Sequence, residues 1–506
     1  MFAFPKAKSG IQGLDEITNG GLPKGRPTLI CGGPGCGKTL MAMEFIVRGA
    51  TLYDEPGVFV AFEEKTEELA MNVVSLGFDL AKLQKDKKLR LDYVHIDRSE
   101  INETGEYDLE GLFIRLNHAI DSIGAKRVVL DTIENLFGGL SNLAILRSEL
   151  RRLFQWLKEK GVTAIITGEK GDITLTKHGL EEYVSDCVIL LDHRIINQIS
   201  TRRLRIIKYR GSIHGTNEYP FLIDEEGITV LPITSLGLNK SVSAKRVSSG
   251  IPSLDAMFGG KGFFKGSSIL VSGTAGTGKT SIAAYFANAG CARKEKCMFF
   301  SFEESPQQII RNMRSIGLNL GLYVKKGLLE FHSARPGLYG LEMHLTNLYK
   351  RIKKFNPTRV IIDPISDFGS VGLLPEVNSM ILRLLDHLQN AGITVMITAL
   401  NSGTSVNVDE NVSSLVDVWI LVRDVELNGE RNRALYIMKS RGMAHSKEVR
   451  EFVISSKGLA IVDVYRGVSG RVLIGEARKT KQKEDLVYTN QNGNGQVKQR
   501  RKKLSR

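Results

Sequence analysis

The chain has 506 residues, 42% hydrophobic and 25% charged, an ordinary globular mix and long enough for two large domains. No apolar run approaches the ~20 residues of a membrane span, and the opening Met1-Phe2-Ala3-Phe4-Pro5-Lys6 lacks the apolar stretch of a secretory signal. The net charge of +14 is uneven: from Arg471 onward eleven Lys and Arg stand against three acids, so the body is only mildly basic and is not expected to be built around nucleic acid.

Five cysteines, Cys31, Cys36, Cys187, Cys291 and Cys297, are scattered with no zinc-site spacing and no disulfide framework, which points to a reducing cytoplasm. In chain order, Ser9-Gly10-Ile11-Gln12-Gly13-Leu14-Asp15 leads into the apolar strand Thr28-Leu29-Ile30. The turn Gly32-Gly33-Pro34-Gly35-Cys36-Gly37-Lys38-Thr39 follows, and then the start of a helix, Leu40-Met41-Ala42-Met43-Glu44-Phe45-Ile46. Strand, glycine-rich turn and helix in the G-x-x-x-x-G-K-T spacing make a phosphate loop. Gly35 and Gly37 let the backbone wrap closely round an anion, and the helix start presents N–H groups to it. Lys38 would reach the β- and γ-phosphates of ATP, and the Thr39 hydroxyl would sit on Mg²⁺. Cys36 reads as a small residue tolerated in the loop, or as a point of sensitivity to oxidation.

Gly57-Val58-Phe59-Val60-Ala61-Phe62-Glu63-Glu64 reads as a buried strand ending in two acids. Acids beyond the carboxyl end of a strand can orient water or take a proton, or they can simply favour a helix N-terminus. Arg127-Val128-Val129-Leu130-Asp131 has the Walker B pattern, its carboxylate supporting Mg²⁺. A further strand spans 162–167. A hairpin runs through Leu190-Leu191-Asp192 to Lys208-Tyr209-Arg210-Gly211, whose basic residues could reach a phosphate on a neighbouring subunit or form a solvated edge.

The whole series then repeats. Ser249-Gly250-Ile251-Pro252-Ser253-Leu254-Asp255 precedes a second loop, Gly273-Thr274-Ala275-Gly276-Thr277-Gly278-Lys279-Thr280. Gly276, Gly278, Lys279 and Thr280 take the roles just described. Glu303-Glu304, Asp363, strand 393–398 and Lys439-Ser440-Arg441-Gly442 follow in the same order. The boundaries expected are a first domain over 1–234, a polar linker over 235–248, a second domain over 249–467 and a basic, disordered tail over 468–506. The run Lys498-Gln499-Arg500-Arg501-Lys502-Lys503 in that tail suits nucleic acid, acidic lipid or an acidic protein, or is simply solvated.

These doubled motifs closely resemble the KaiC family of circadian clock ATPases, over roughly residues 5–467. The resemblance implies an α/β fold of two tandem RecA-like P-loop NTPase domains, each a mostly parallel sheet flanked by helices. It also implies a homohexamer with ATP at the subunit interfaces, a slow ATPase in the first half, and in the second a serine/threonine autokinase that can reverse its reaction. A KaiB-like or other signalling partner is implied as well. Glu63 and Glu64 match the first half's catalytic pair. Glu303 and Glu304 match the second's, with Glu303 as general base. Lys208, Arg210, Lys439 and Arg441 match residues donated across the interface.

The family's acceptor pair lies just before an Asp that opens a strand. Counting back from Asp417 gives Ser413-Ser414, and counting back from Asp186 gives Glu182-Tyr183, so only the second half carries hydroxyls there. Two serines capping a turn are the plain alternative. Val408 stands where the family has a third hydroxyl, and the tail after Gly467 differs from that of the clock protein. Two other functions compete: a RecA-type DNA-dependent ATPase, which would want aromatics interleaved with basic residues, and a nucleotide-gated scaffold, which would not need Glu303 or Ser413-Ser414.

Overall fold

The computed structural model describes residues 5–94, 109–136, 143–171, 174–176, 185–196, 199–232, 243–401, 408–427, 429–466 and 472–483. The chain forms two compact units that divide near residue 235.

In the first unit nine strands make one sheet: β1 Pro27–Gly32, β2 Gly57–Ala61, β3 Leu89–Tyr93, β4 Arg127–Asp131, β5 Thr163–Glu169, β6 Cys187–Ile196, β7 Ile199–Tyr209, β8 Glu218–Asp224 and β9 Gly227–Val230. Their order is β9-β8-β7-β6-β1-β5-β4-β2-β3. From β6 across to β3 every pairing is parallel, and β7 to β9 continue the sheet antiparallel. Parallel strands are covered on both faces, which explains their unbroken apolar runs. Along β1 the side chains alternate, Ile30 packing with helix α1 (Lys38–Leu52) on one face. Leu29 and Cys31 pack on the other with helices α3 (Glu110–Ile123) and α4 (Leu143–Glu159). A shorter helix, α2 (Thr66–Val73), follows β2.

The second unit repeats this design with β10 Ser268–Gly273, β11 Cys297–Ser301, β12 Leu329–Ser333, β13 Arg359–Asp363, β14 Thr394–Leu400, β15 Val418–Leu427, β16 Glu430–Ser440, β17 Arg450–Ser455 and β18 Gly458–Asp463. Its order, β12-β11-β13-β14-β10-β15-β16-β17-β18, is the first sheet's order strand for strand. The helices that matter below are α5 (Lys279–Ala292), α6 (Pro306–Arg314), α7 (Leu374–Asn390) and α8 (Val408–Leu415). The fold is therefore two tandem α/β domains, each a mostly parallel sheet flanked by helices, as the resemblance implied.

Each unit is clasped by a buried arginine at the start of its Walker B strand. Arg127 donates to Glu55 Oε2 (2.7 Å) and to the carbonyls of Phe45 (2.7 Å) and Lys8 (2.8 Å). Arg359 donates to Glu295 Oε2 (2.7 Å) and to the carbonyls of Ser248 (3.0 Å) and Phe286 (3.1 Å). Each guanidinium passes over a helical glycine: a Cβ on Gly49 would stand 2.4 Å from Arg127 Cδ, and one on Gly290 would stand 2.7 Å from Arg359 Cδ.

Order differs from expectation at both ends of the second unit. Arg246–Val247, placed in the linker, pair as a strand with Phe263–Phe264, and the Ser248 hydroxyl bonds Asp255 (2.5 Å). Part of the expected disordered tail is ordered: Val472–Leu473 pair with Tyr465–Arg466, and a helix covers residues 475–483. Buried Ile474 and an Arg478–Glu451 ion pair (2.7 Å) hold this segment to the sheet, a long-range contact that composition does not announce. The rest of the tail, including residues 498–503, and Glu182-Tyr183 lie outside the described residues.

Candidate functional site

The first phosphate loop leaves the carboxyl end of β1, between β5 and β6. Gly35 (φ 69°) and Gly37 (φ 99°) hold the left-handed conformation that bends the chain back over the helix start, where a side chain would be strained. Lys38 Nζ donates to the carbonyls of Gly32 (2.8 Å) and Gly33 (3.1 Å), so its charge sits in the mouth of the loop. The Thr39 hydroxyl bonds buried Asp131, which also accepts from Thr167 on β5. Burial raises the Asp131 carboxyl above its ordinary value, against the pull of those two hydroxyls. The second loop matches. Gly276 (φ 79°) and Gly278 (φ 96°) are left-handed, and Lys279 Nζ reaches the carbonyls of Gly273 (2.9 Å) and Thr274 (2.8 Å). Thr280 and Thr398 both bond Asp363, whose carboxyl burial raises.

These residues fit a magnesium nucleotide. The left-handed glycines present N–H groups, the lysine supplies a cation, and a hydroxyl already lies against a buried carboxylate that would share a divalent ion.

The paired glutamates separate into two environments. Glu64 and Glu304 each accept a hydrogen bond from an asparagine on the next helix, Asn72 (3.1 Å) and Asn312 (3.2 Å). Glu63 and Glu303 are exposed. The charge of Glu64 acts on Asp131, whereas in the second unit it is Glu303 whose charge acts on Asp363. Glu303 also faces Asp367, which the sequence reading missed. Burial first, then Glu303 and Asp363, push that carboxyl up to about 6. Its only sequence signal was its place four residues after Asp363.

Lys208 and Lys439 each sit beside a β-bulge, between Val188 and Ile189 on one strand pair and between Trp419 and Ile420 on the other. A bulge re-aims the side chains that follow it. Arg210 is exposed near Asp186 (3.8 Å). Lys439 Nζ donates to the carbonyls of Ser413 (2.7 Å) and Ser414 (3.3 Å), and Arg441 donates to Ser414 (2.6 Å). The two cations therefore cap α8 of their own chain. The serines lie in the last turn of this helix, not in a turn of their own, so the capped-turn alternative is corrected: Ser413 is half-buried and Ser414 exposed. Asp417 then pins the helix exit to β10, accepting from Ser268 N (2.9 Å) and Oγ (3.0 Å) and from Gln389 on α7 (3.1 Å).

The topology sets Ser413 and Ser414 apart from the phosphate loop of their own unit. β15 runs parallel to β10, with Ile269 opposite Val418, so the serines lie before the amino end of β10, while the loop leaves its carboxyl end. The six residues of β10 span about 17 Å at ~3.3 Å per residue. The Lys439–Arg441 corner lies at the same amino end, since Trp419 pairs with Lys439. Among the described residues no helix is long and apolar enough to cross a membrane.

A family model described as "ATPase: KaiC" matches twice, over residues 7–235 and 247–465. The chain is 56% identical over 477 residues to the circadian clock protein KaiC2 of Synechocystis sp., covering 94% of this chain and 84% of that protein. It is 37% identical over 469 residues to the circadian clock oscillator protein KaiC of Synechococcus elongatus, covering 92% and 90%. It is also 37% identical over 493 residues to the circadian clock protein KaiC3 of Synechocystis sp., covering 95% and 96%.

Proposed function

The chain belongs to the KaiC family of ATPases, and from that premise we propose that it is a ring-forming ATPase and serine autokinase whose second domain phosphorylates Ser413 and Ser414 of the neighbouring subunit. The observation that carries this reading is the placement of the acceptor serines at the opposite end of β10 from their own loop. A γ-phosphate held there cannot be in line with hydroxyls about 17 Å away. Head-to-tail packing of copies would bring one chain's amino-end corner to the next chain's loop. A hexamer with ATP between subunits is such an arrangement.

In the first domain Gly35, Gly37 and Lys38 hold the phosphates, and Thr39 with Asp131 holds Mg²⁺. Glu64, coupled in charge to Asp131 and steadied by Asn72, orients water, and exposed Glu63 stands beside it. In the second domain Gly276, Gly278, Lys279, Thr280 and Asp363 repeat the cradle. Glu303 takes the proton of the incoming serine, while Glu304 is held on Asn312. Lys208 with Arg210, and Lys439 with Arg441, stabilise charge on the neighbour's transferring phosphoryl group. The names of the relatives support a timing or signalling role, with a KaiB-like protein as one candidate partner, and a cytoplasmic setting suits the free thiols.

The test is complementation. Lys279→Ala subunits cannot donate, and Ser413→Ala/Ser414→Ala subunits cannot accept. Mixed with γ-labelled ATP and Mg²⁺, they should place label on the Lys279→Ala subunits, and Glu303→Gln in the donor should remove it. Absence of label on Ser413 and Ser414 of wild type, with ATP still hydrolysed, would leave an ATPase or scaffold without the kinase.

A further inference from the structure

Cys291 and Cys297 sit together beneath one short loop. Cys291 lies in the last turn of α5, Cys297 is the first residue of β11, and both are buried. A single carbonyl, that of Leu328, accepts from Cys291 Sγ (3.6 Å) and from the Cys297 backbone N–H (2.8 Å). Cys297 Sγ lies 3.5 Å from the Ala287 carbonyl on α5, and its single S–H can turn from that carbonyl to the neighbouring Cys291 sulfur. The loop that joins them, Arg293-Lys294-Glu295-Lys296, is exposed at three of its four positions.

The Arg359 clasp adjoins the pair. A Cβ on Gly290 would stand 2.6 Å from Cys297 Sγ and 2.8 Å from Arg359 Nε, which sets that sulfur and the guanidinium side by side. One terminal nitrogen of Arg359 is buried without a hydrogen-bond partner among the described residues. The first unit supplies a control within the same chain. There the same clasp surrounds Ala50 and Gly57, with Gly57 opposite Arg127 as Cys297 is opposite Arg359. The fold thus needs no sulfur at either position.

We propose that Cys291 and Cys297 are a reversible disulfide site, oxidised by hydrogen peroxide. The Cys291 thiolate attacks the peroxide, the O–O bond breaks, and Cys291 becomes a sulfenic acid. Cys297 sulfur then attacks Cys291 sulfur, the S–O bond breaks and the S–S bond forms. Two electrons pass from the sulfurs to the peroxide, and the two thiol protons leave in two waters. Cys291 is the attacking sulfur. The hydrogen bond from Cys297 holds its thiol below the usual range, helped by Arg359 and opposed by burial, while the same bond and burial push Cys297 up. The site does not depend on the kinase reading.

The experiment treats the full chain with hydrogen peroxide, traps remaining thiols, and maps sulfur states by mass spectrometry. A peptide linking Cys291 to Cys297, lighter by two hydrogens and restored by dithiothreitol, is expected to form about tenfold faster than oxidation at Cys31, Cys36 or Cys187. Cys297→Ala should leave Cys291 as a sulfenic acid that dimedone captures. Cys291→Ala, which installs the first unit's residue, should keep the fold and abolish the link. Recovery of Cys291 and Cys297 as free thiols while other cysteines oxidise, or of Cys291 as unlinked sulfinic acid, would overturn the proposal.

Discussion

Removing Arg441 or Lys439 should loosen the acceptor helix without unfolding its domain. Lys439 Nζ makes two contacts to α8 carbonyls, at 2.7 and 3.3 Å, and Arg441 makes one at 2.6 Å. A hydrogen bond from a charged donor contributes ~1.5–3 kcal/mol when dry. Arg441 is 53% exposed, so its share falls to about 1 kcal/mol after screening. Lys439 is better covered, since burial and then Arg441 lower its ammonium pKa, and about 1.5 kcal/mol is reasonable for it. Positive charge at a helix C-terminus adds a few tenths. Arg441→Ala should therefore speed hydrogen exchange across residues 408–416 about fivefold, and the double alanine variant about fiftyfold or more. Mass spectrometry reads this directly, with the peptide over 268–273 in β10 as reference. Unchanged exchange in the helix would refute the capping role. A matching rise in the β10 peptide would show that the substitutions act on the whole domain instead.

Lys38→Ala and Lys279→Ala should each remove one of two nucleotides bound per chain, measured by equilibrium dialysis, with the double variant binding none. Asp367→Asn should stabilise the nucleotide-free protein above pH 6. The fold favours the neutral acid, so the stability that wild-type Asp367 contributes is whole below pH 3.8 and lost as pH rises to about 6. After discounting for its partial exposure, a gain of about 1 kcal/mol at pH 7.5, absent at pH 3.5, is expected in urea unfolding. Gly290→Ala should cost about 2–3 kcal/mol, because the new methyl group would meet Cys297 Sγ and Arg359 Cδ inside 3 Å. A cost below ~0.5 kcal/mol in urea unfolding would show that the clasp can shift aside.

The phosphate loops, Asp131, Asp363 and the repeat were legible because each rests on local chemistry. A left-handed turn demands glycine, an anion site demands a helix start, and a buried strand demands an apolar run. Arg127 and Arg359 were not read as clasps, because a basic residue at a strand start looks solvent-exposed until the helix crossing it is known. Gly49 and Gly290 recur at matching places in the repeat, but a glycine inside a helix points only to a close approach, not to its partner. The bulges beside Lys208 and Lys439 have no composition of their own. Asn72 and Asn312 became meaningful only once α2 and α6 folded back to the strand ends. The ordered segment 472–483 was hidden by its charge: Arg478 looked like part of a solvated tail, yet it finds Glu451 across 27 positions.

The opposite-end placement also gives Lys439 and Arg441 two incompatible tasks in the proposed ring. In the isolated chain both hold α8 by its last carbonyls. To meet a neighbour's transferring phosphoryl group, the same ammonium and guanidinium must turn away from Ser413 and Ser414. Release of the cap and delivery of the acceptor are then one event, since the helix that loosens carries the serines. The cost of release, about 2.5 kcal/mol from the contacts above, sets the size of the bias that a bound neighbour must overcome. Removing the cap by Arg441→Ala frees the helix but also takes away charge stabilisation, so faster exchange at 408–416 should coincide with slower phosphorylation. Arg441→Lys keeps a cation without the planar fork and should recover more of the exchange protection than of the transfer rate. Equal recovery of both would mean that the cap and the interface role share one geometry and do not compete.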